Sequence, residues 1–256
     1  MAALFATGAQ GVHEDGFALV TSFPAEEDAH AAAAAVQAID PGAECQVSEA
    51  PAVDWSVAWR EHARVVTVGK LTIAPPWLSA DLDRASTIVI DPGMAFGTGD
   101  HASTRGAILL LQDVVRRGST VADLGSGSAV LSIAAAKLGA ARVWAIELDP
   151  EAQDNATENV SRNDAGDVVH LFEGDASVLL PLAAPVDVVA ANIISSVIID
   201  LLPAIADALT PGGHVVLAGI LDNEHHVVVD ALERDDWRLR KTHVEEDWWS
   251  ALAQRP

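Results

Sequence analysis

The feature that most constrains the fold of this chain is a glycine-rich turn at residues 125–129, Gly-Ser-Gly-Ser-Ala. It follows the short apolar run Val121–Leu124 and opens a helical pattern of apolar residues that stops at Gly139. A second apolar run, Arg142–Ile146, ends on Glu147. Strand, tight turn, helix and strand in this order predict one right-handed βαβ unit of an α/β fold.

The same turn is suited to a small ligand. A βαβ unit binds ligands at the carboxyl ends of its strands, where glycines let the backbone come close and the helix N-terminus offers N–H groups. Glu147 stands 22 residues after Gly125, where an acid binds a ribose diol. The dinucleotide fingerprint requires a third glycine at position 130, which is Val130, so a nicotinamide or flavin dinucleotide is excluded. A glycine-rich turn without a ligand remains the alternative.

The charge of the chain bears on its partners. Its 256 residues fit one α/β domain and a small appendage, and 37 acidic against 15 basic residues give a net charge of −22. Such a surface repels phosphate backbones and attracts basic proteins, so we expect a basic protein partner and no direct nucleic-acid binding. A surface adapted to a salt-rich cytoplasm explains the same charge, and the sequence does not separate the two explanations.

Compartment and metal content follow from simpler features. The single cysteine, Cys45, excludes an internal disulfide and suits a reducing compartment. The N-terminus lacks the pattern of a signal peptide, and polar residues interrupt the most apolar stretch, residues 186–209. We therefore expect a cytoplasmic monomer without membrane contact. His225 and His226 have no partners at metal-ligand spacing, so no metal site is predicted.

Before the βαβ unit, the sequence predicts a small βαβ piece over residues 16–49. Its strands are Phe17–Ser22 and Glu44–Ser48, on either side of the helix Pro24–Ala38. A helix is predicted over residues 54–66, with Trp55 and Trp59 on one face as core contacts. Two strands follow, at residues 70–73 and 87–90.

After the βαβ unit, Asp149-Pro150 predicts the start of a helix that runs to about Asn163. Three further strands are predicted at residues 168–172, 186–191 and 215–218, with a helix over residues 195–209 between the last two. The rest of the chain supplies a helix and an antiparallel strand pair. Asp175 follows the first of these strands and suits a helix cap.

A second glycine-rich stretch, DPGMAFGTGDHAST, covers residues 91–104. Three glycines surround Phe96 in a loop that leads into a helix, and Asp100 or Ser103 is predicted to cap that helix. Phe96 is either a ligand contact or a buried anchor for the loop, and the residues alone leave both open.

These segments resemble one family. A GxGxA turn with an acid closing the next strand is similar to motif I of class I S-adenosylmethionine methyltransferases. DPG-AFGTG-H followed by a Ser-Thr pair resembles the signature loop of the ribosomal protein L-eleven methyltransferases, the PrmA family. IAPPW, AANII at residues 190–194, PGGHVVLAGIL and the EEDWW near the end resemble that family too. The resemblance covers roughly residues 53–256.

The resemblance implies a fold and a domain division. The fold is α/β, a Rossmann-like class I methyltransferase sheet, mostly parallel with an antiparallel last strand, and a small truncated α+β N-terminal domain. Residues 1–50 would be a reduced substrate-recognition domain, 51–85 a linker helix with strands, and 86–256 the methyltransferase domain. Three departures stand out: an N-terminal part about half the family's usual size, Ala129 in place of glycine, and Glu147 in place of aspartate.

The resemblance also implies a site and a function. The cofactor is S-adenosylmethionine, and the substrate is an amine, a lysine side chain or an N-terminal amine, of a large-subunit ribosomal protein. The shortened recognition region implies fewer methylated sites than in a full-length relative. Asn192 and Phe96 are the expected catalytic residues. The expected cofactor-binding residues are Thr104, Gly125, Ser126, Gly127, Glu147, Asp175 and Asn192. Asp175 stands where many methyltransferases contact the adenine, with the helix cap as the alternative.

The chemistry fits these residue types. Asn192 is a neutral amide, which can orient an amine without fixing its proton as a carboxylate would. Phe96 can cover the sulfonium as a cation–π partner and exclude water. Two alternatives stay open: a methyltransferase acting on another protein or on a small molecule, and a non-catalytic cofactor-binding protein.

Overall fold

The computed structural model describes residues 4, 7, 12–15, 18–23, 25–48, 63–91 and 99–255. The chain divides into two compact units, Met1–His62 and Ala63–Pro256. Trp55, Trp59 and Phe96 lie outside the described residues. The roles expected for residues 1–50, 51–85 and 86–256 stay predictions.

The first unit contains a hairpin and a helix. Strand β1 (Val12–Asp15) pairs antiparallel with β2 (Ala18–Thr21), and helix α1 (Glu26–Ile39) follows, with three acids in its first turn. The predicted strand Phe17–Ser22 is confirmed over Ala18–Thr21, and the predicted helix Pro24–Ala38 over Glu26–Ile39. The predicted strand Glu44–Ser48 is wrong: those residues form no regular structure, because none of their side chains is buried and a local hairpin supplies the partner of β2 instead.

The second unit begins with a three-stranded sheet. Strand β3 (Val66–Val68) is antiparallel to β4 (Leu71–Ala74), and β5 (Thr87–Val89) is parallel to β4. A short 3-10 helix, Pro76–Leu78, follows β4. Both predicted strands are confirmed. The end of the helix predicted to run to Val66 is wrong, because the chain is extended there and turns at Gly69, with φ +60°, into β4.

A seven-stranded sheet forms the centre of the second unit, in the order β11-β12-β10-β9-β6-β7-β8. Five strands are parallel, and β12 lies antiparallel between β10 and β11. This confirms the expected α/β sheet with its antiparallel strand pair. The strands are β6 (Thr120–Leu124), β7 (Arg142–Glu147), β8 (Val169–Glu173), β9 (Val186–Asn192), β10 (Leu209–Leu221), β11 (Arg238–Glu245) and β12 (Trp248–Gln254).

Helices cover both faces of this sheet. They are α2 (Ala102–Val114), α3 (Val130–Lys137), α4 (Pro150–Arg162), α5 (Ala176–Ala183), α6 (Ser195–Ala208) and α7 (His225–Arg234). Helices α2, α3 and α4 share one buried apolar cluster, and α5, α6 and α7 share the other. Successive strand side chains alternate between the clusters, as Val121 and Ala122 show. No helix in the described part of the chain is long and apolar enough to cross a bilayer.

Candidate active site

The predicted site residues meet at one edge of the sheet. Strand β6 is parallel to both β7 and β9, and Leu124 stands opposite Ile146 on one side and Ala191 on the other. The residues that follow these strand positions, Gly125, Glu147 and Asn192, therefore lie side by side at the carboxyl edge. This is the edge at which open α/β sheets bind ligands.

The glycine turn adopts a backbone that requires glycine. Gly125 and Gly127 have φ of +70° and +49°, and a Cβ on Gly125 would overlap the Ile193 side chain, which follows Asn192. The Gly125 N–H donates to Ile146 O at 2.9 Å, which ties the turn to β7. Ala129 takes the left-handed region too, with φ +66°, and its N–H donates to Ser126 O at 2.7 Å. The chain therefore holds at Ala129 a conformation that glycine would adopt with less strain.

Glu147 is fixed by two backbone donors. Its Oε2 accepts from Gly127 N at 2.7 Å, and its Oε1 accepts from Asp149 N at 3.0 Å. Asp149 itself caps α4 by accepting from Glu151 N at 2.9 Å, which confirms the predicted helix start. The carboxylate of Glu147 therefore stands beside the glycine turn, in the position that the βαβ pattern predicted for an acid.

Asn192 has one satisfied and one open polar atom. Its Nδ2 donates to Thr104 Oγ1 at 3.2 Å, across 88 residues of sequence. Its Oδ1 is buried and has no partner within the described part of the chain. Ser126 follows the neighbouring strand β6, and its Oγ is likewise buried and without a partner among the described residues. Since buried polar atoms are almost always paired in native proteins, these two atoms are the candidate contacts for a polar ligand at this edge.

Asp123 is a site residue that the sequence analysis missed. It lies at the end of β6, 1% exposed, where its Oδ2 accepts from Ser132 Oγ at 2.6 Å and its Oδ1 has no partner among the described residues. Burial raises the pKa of Asp123 to about 6, against the opposing hydrogen bond from Ser132. The available signal was a lone acid inside an otherwise apolar strand.

Asn159 in α4 and Asn163, the C-cap of α4, hydrogen-bond the chain where it leaves β5 for the glycine-rich loop. The sequence analysis missed both. Asn159 is fully buried: its Oδ1 accepts from Asp91 N at 2.9 Å, and its Nδ2 donates to Asp91 O and Ser128 O at 3.2 Å each. Asn163 exchanges two hydrogen bonds with the Val89 backbone, at 2.7 and 2.8 Å. Their four-residue spacing on one helix face was the available signal.

The loop rejoins regular structure at α2. The residue in the N-cap position is His101, whose side chain makes no capping bond, so the predicted cap by Asp100 or Ser103 is wrong. Ser103 Oγ instead lies 2.8 Å from His101 Nδ1. The His101 ring meets Trp248 edge-on at 4.6 Å, and burial lowers the pKa of His101. Thr104, fully buried in the first turn of α2, reaches Asn192 as described above.

Asp175 stands at the same edge, one strand beyond Glu147. Its neighbour Gly174 donates its N–H to Glu147 O at 2.8 Å, and Asp175 Oδ1 accepts from Ser177 N at 2.7 Å as the cap of α5. The hydrogen bonds from Ser177 lower the pKa of Asp175. The cap is thus confirmed, and an adenine contact stays a prediction.

Comparisons with known proteins agree with this arrangement. The family model described as "Ribosomal protein L11 methyltransferase (PrmA)" matches residues 4–256. A protein of that name from Symbiobacterium thermophilum is 42% identical over 212 residues, 79% of this chain and 66% of the relative. One from Bacillus cytotoxicus is 37% identical over 211 residues, 81% of this chain and 67% of the relative. The chain thus spans about two thirds of the length of these relatives.

Solved structures give the same result for the fold. The crystal structure of a ribosomal protein L11 methylase from Lactobacillus delbrueckii subsp. bulgaricus has a TM-score of 0.68 and 30% identity, covering 75% of this chain and 98% of that one. A precorrin-6y C5,15-methyltransferase from Geobacter metallireducens GS-15, at 0.51 and 19% identity, shares the fold alone. The resemblance inferred from the signature loop and the glycine turn is confirmed, and the chain belongs to the ribosomal protein L11 methyltransferase (PrmA) family.

Proposed function

We propose that this protein transfers methyl groups from S-adenosylmethionine to amine groups, on lysine side chains or an N-terminus, of a large-subunit ribosomal protein. The observation that carries the proposal is the buried Oδ1 of Asn192 at the carboxyl edge of the sheet, which has no partner among the described residues. An amine nitrogen that still bears hydrogens can donate to this oxygen, and the bond then aims its lone pair away from Asn192. The hydrogen bond from Asn192 Nδ2 to Thr104 holds the amide in that orientation.

The residues around the glycine turn fit S-adenosylmethionine. When bound, this cofactor supplies an electrophilic methyl group on a sulfonium. Glu147 would hold the ribose hydroxyls, and the positive φ angles of Gly125 and Gly127 leave room for the cofactor against the backbone. The buried Ser126 Oγ offers a further polar contact, and Asp175 stands one strand over for the adenine. Phe96 and Thr104 complete the expected contacts.

Amine methylation requires a neutral nucleophile. A lysine amine has a pKa near 10.4, so its deprotonation at pH 7 costs roughly 4–5 kcal/mol before any help from its surroundings. A water-poor pocket lowers this cost, because burial disfavours the charged form, whereas a carboxylate beside the amine would raise it. A neutral amide at position 192 is therefore better suited to the reaction than an aspartate. Positioning the lone pair in line with the methyl group then supplies most of the remaining catalysis.

The substrate assignment rests on the relatives and on charge. The relatives described above are named for their action on ribosomal protein L11. The net charge of −22 supports a basic protein partner, because opposite charge speeds association. The polypeptide of the large subunit that corresponds to this ribosomal protein is accordingly the first substrate to test.

The experiment incubates the protein with methyl-labelled cofactor and a lysate from its own source that lacks its gene. Mass spectrometry then identifies the labelled species and the labelled atoms. We expect label on amines of the ribosomal protein, and a strong loss of label with Asn192→Ala at nearly unchanged cofactor affinity. Label on another protein or on a small molecule would keep the chemistry and refute the substrate. Label on RNA would refute both, and cofactor binding without any transfer would indicate a non-catalytic binding protein.

A further inference from the structure

The turn between β11 and β12 contacts the first turn of α2 through hydrogen bonds to Arg105. Arg105 Nε donates to Glu245 Oε1 at 2.9 Å, and its Nη2 donates to Glu246 Oε1 at 3.0 Å. Trp248, where β12 begins, packs edge-on against the His101 ring. We call these contacts the hairpin clasp. They join segments that lie 140 residues apart in sequence, so they are tertiary contacts and not part of local helix geometry.

Arg105 is held more firmly than a surface arginine. Its side chain is 12% exposed, and its third nitrogen, Nη1, donates to Asp100 O at the entry to α2. The hydrogen bond from Arg105 lowers the pKa of Glu245, which keeps that partner ionised. A planar guanidinium that bonds three oxygens fixes their relative positions, because each bond is charge-assisted and directional. Arg105 therefore ties the hairpin turn to both the entry and the first turn of α2.

The hairpin clasp lies next to Thr104, which is hydrogen-bonded to Asn192. Thr104, the neighbour of Arg105, is fully buried and accepts the hydrogen bond from Asn192 Nδ2. Helix α2 also lies so close to β12 that a Cβ on Gly106 would stand 2.5 Å from Ser250 Oγ. The helix therefore has little freedom to shift against the hairpin. Because Thr104 and Arg105 are neighbours in the first turn of α2, a shift of this turn at the clasp would also move the hydroxyl that the Asn192 amide bonds.

We propose that Arg105 is a positioning residue for methyl transfer, which acts through the hairpin clasp on Thr104 and through Thr104 on the Asn192 amide. This inference rests on the proposed function. A misplacement of about 1 Å in such a chain costs on the order of 100-fold in rate. None of the contacts of the Arg105 side chain reaches Gly125, Gly127 or Glu147 in the described structure, so cofactor affinity changes only through Thr104 and Asn192 and should fall far less than turnover.

The first test compares Arg105→Gln and Arg105→Lys with the wild type by kcat, KM for the protein substrate, and cofactor Kd from calorimetry. We expect Arg105→Gln to lower kcat at least about tenfold, with cofactor Kd changed less than about threefold. Arg105→Lys restores part of kcat, because it keeps the charge and loses the planar fork. The matched control is Arg234→Gln, since Arg234 pairs with Asp235 on the surface of α7, and it should leave kcat unchanged.

The second test asks whether the effect passes through Thr104. Thr104→Val removes the hydroxyl and should itself lower kcat, and adding Arg105→Gln to that variant should lower kcat no further. Losses that multiply in the double variant would overturn the proposed route, and a wild-type kcat in Arg105→Gln would overturn the positioning role. If Arg105→Gln fails to fold, Glu245→Ala removes the acceptor of Arg105 Nε and leaves Glu246, and an unchanged kcat there overturns the proposal equally. A wild-type protein that binds the cofactor and methylates nothing refutes the proposed function instead.

Discussion

Asp123 carries a carboxyl group in a fully buried position, and this has a consequence for stability against pH. Because burial raises its folded-state pKa to about 6, the folded protein binds more protons than the unfolded chain at mildly acidic pH. The contribution of Asp123 to the free energy of unfolding must therefore fall as pH rises through 6. Between about pH 5 and about pH 7.5, we expect this residue alone to remove roughly 1–2 kcal/mol.

The check is urea unfolding of the wild type and Asp123→Asn at both pH values. The asparagine cannot titrate, so the stability of the variant relative to the wild type should increase by roughly 1–2 kcal/mol at the higher pH. An equal pH dependence in both proteins would show that Asp123 keeps the same pKa on unfolding.

Alanine substitutions at two glycines with positive φ can distinguish an effect on cofactor binding from the cost of backbone strain. Gly125 has φ +70° at the glycine turn, and Gly118 has φ +91° in the connection before β6, where a Cβ would meet nothing within 4 Å. Alanine at either position costs about 1–2 kcal/mol of strain. At Gly125 the added Cβ also displaces Ile193, next to Asn192.

We therefore expect Gly125→Ala to weaken S-adenosylmethionine binding at least about tenfold in calorimetry, equivalent to about 1.4 kcal/mol. Gly118→Ala, the matched control, should lose stability and keep wild-type affinity. Equal affinity losses in both would mean that general destabilisation, and not the space at the turn, controls cofactor binding.

Single residues also show where prediction from sequence ends. Gly127 contacts Glu147, and Thr104 contacts Asn192, because a βαβ pattern and a recognised loop specify which strand ends they occupy. Their roles as cofactor contacts stay predictions. Asn159 and Arg105 were not predictable in the same way. Their partners lie 68 and 140 residues away, and no local period encodes which backbone or carboxylate they will reach.

At the scale of elements, α4 does more than cover the sheet. The fully buried Asn159 bonds both the N–H and the C=O of Asp91 and the carbonyl of Ser128, so it joins β5, the start of the glycine-rich loop and the glycine turn. Asn159→Ala removes the acceptor of Asp91 N and the bonds to Asp91 O and Ser128 O, while Asp91 O keeps its bond from Asn155 Nδ2 at 2.9 Å. A donor left unpaired costs about 1–3 kcal/mol, and each other lost bond adds about 0.5–1.5 kcal/mol. We expect a loss of at least about 2 kcal/mol in denaturant unfolding.

The control on the same helix is Thr157→Ala, whose exposed hydroxyl bonds only Gln153 O within its own helix. That change should stay within about 0.5 kcal/mol of wild type. A loss of this small size in Asn159→Ala would mean that water replaces the amide without cost.

Secondary-structure elements were predictable from sequence where their side chains are buried. The central strands β6 and β9 are buried on both faces and read as nearly continuous apolar runs, and helix α3 stops before Gly139 as its pattern predicts. The misassigned segments are short and lie outside that sheet. Strand β3 depends on the turn at Gly69, β2 pairs with a strand β1 that was not predicted, and the segment 44–48 has no buried side chain although it was predicted as a strand. Local alternation does not reveal whether a partner strand exists.

At the scale of the whole molecule, the net charge of −22 has two explanations that make opposite predictions about salt. If the acidic surface steers a basic substrate, then salt must slow association, because the Debye length falls from about 10 Å at 0.1 M to about 3 Å at 1 M. If the surface instead serves solvation in a salt-rich cytoplasm, then activity holds or rises with salt. The two explanations therefore differ in the sign of the salt effect on kcat/KM.

We predict steering: kcat/KM for the basic ribosomal protein should fall at least about tenfold between about 0.05 M and about 0.5 M NaCl, while kcat changes little. Cofactor Kd and the urea midpoint, measured at both salt concentrations, control for effects on the site and on folding. The comparison that isolates charge is the same assay with a substrate whose exposed lysines outside the methylated positions are acetylated, since its kcat/KM should be low at both salt concentrations and nearly independent of salt. A kcat/KM that is constant or rises with salt for the unmodified substrate would instead assign the acidic surface to solvation. The net charge would then no longer support a basic protein substrate.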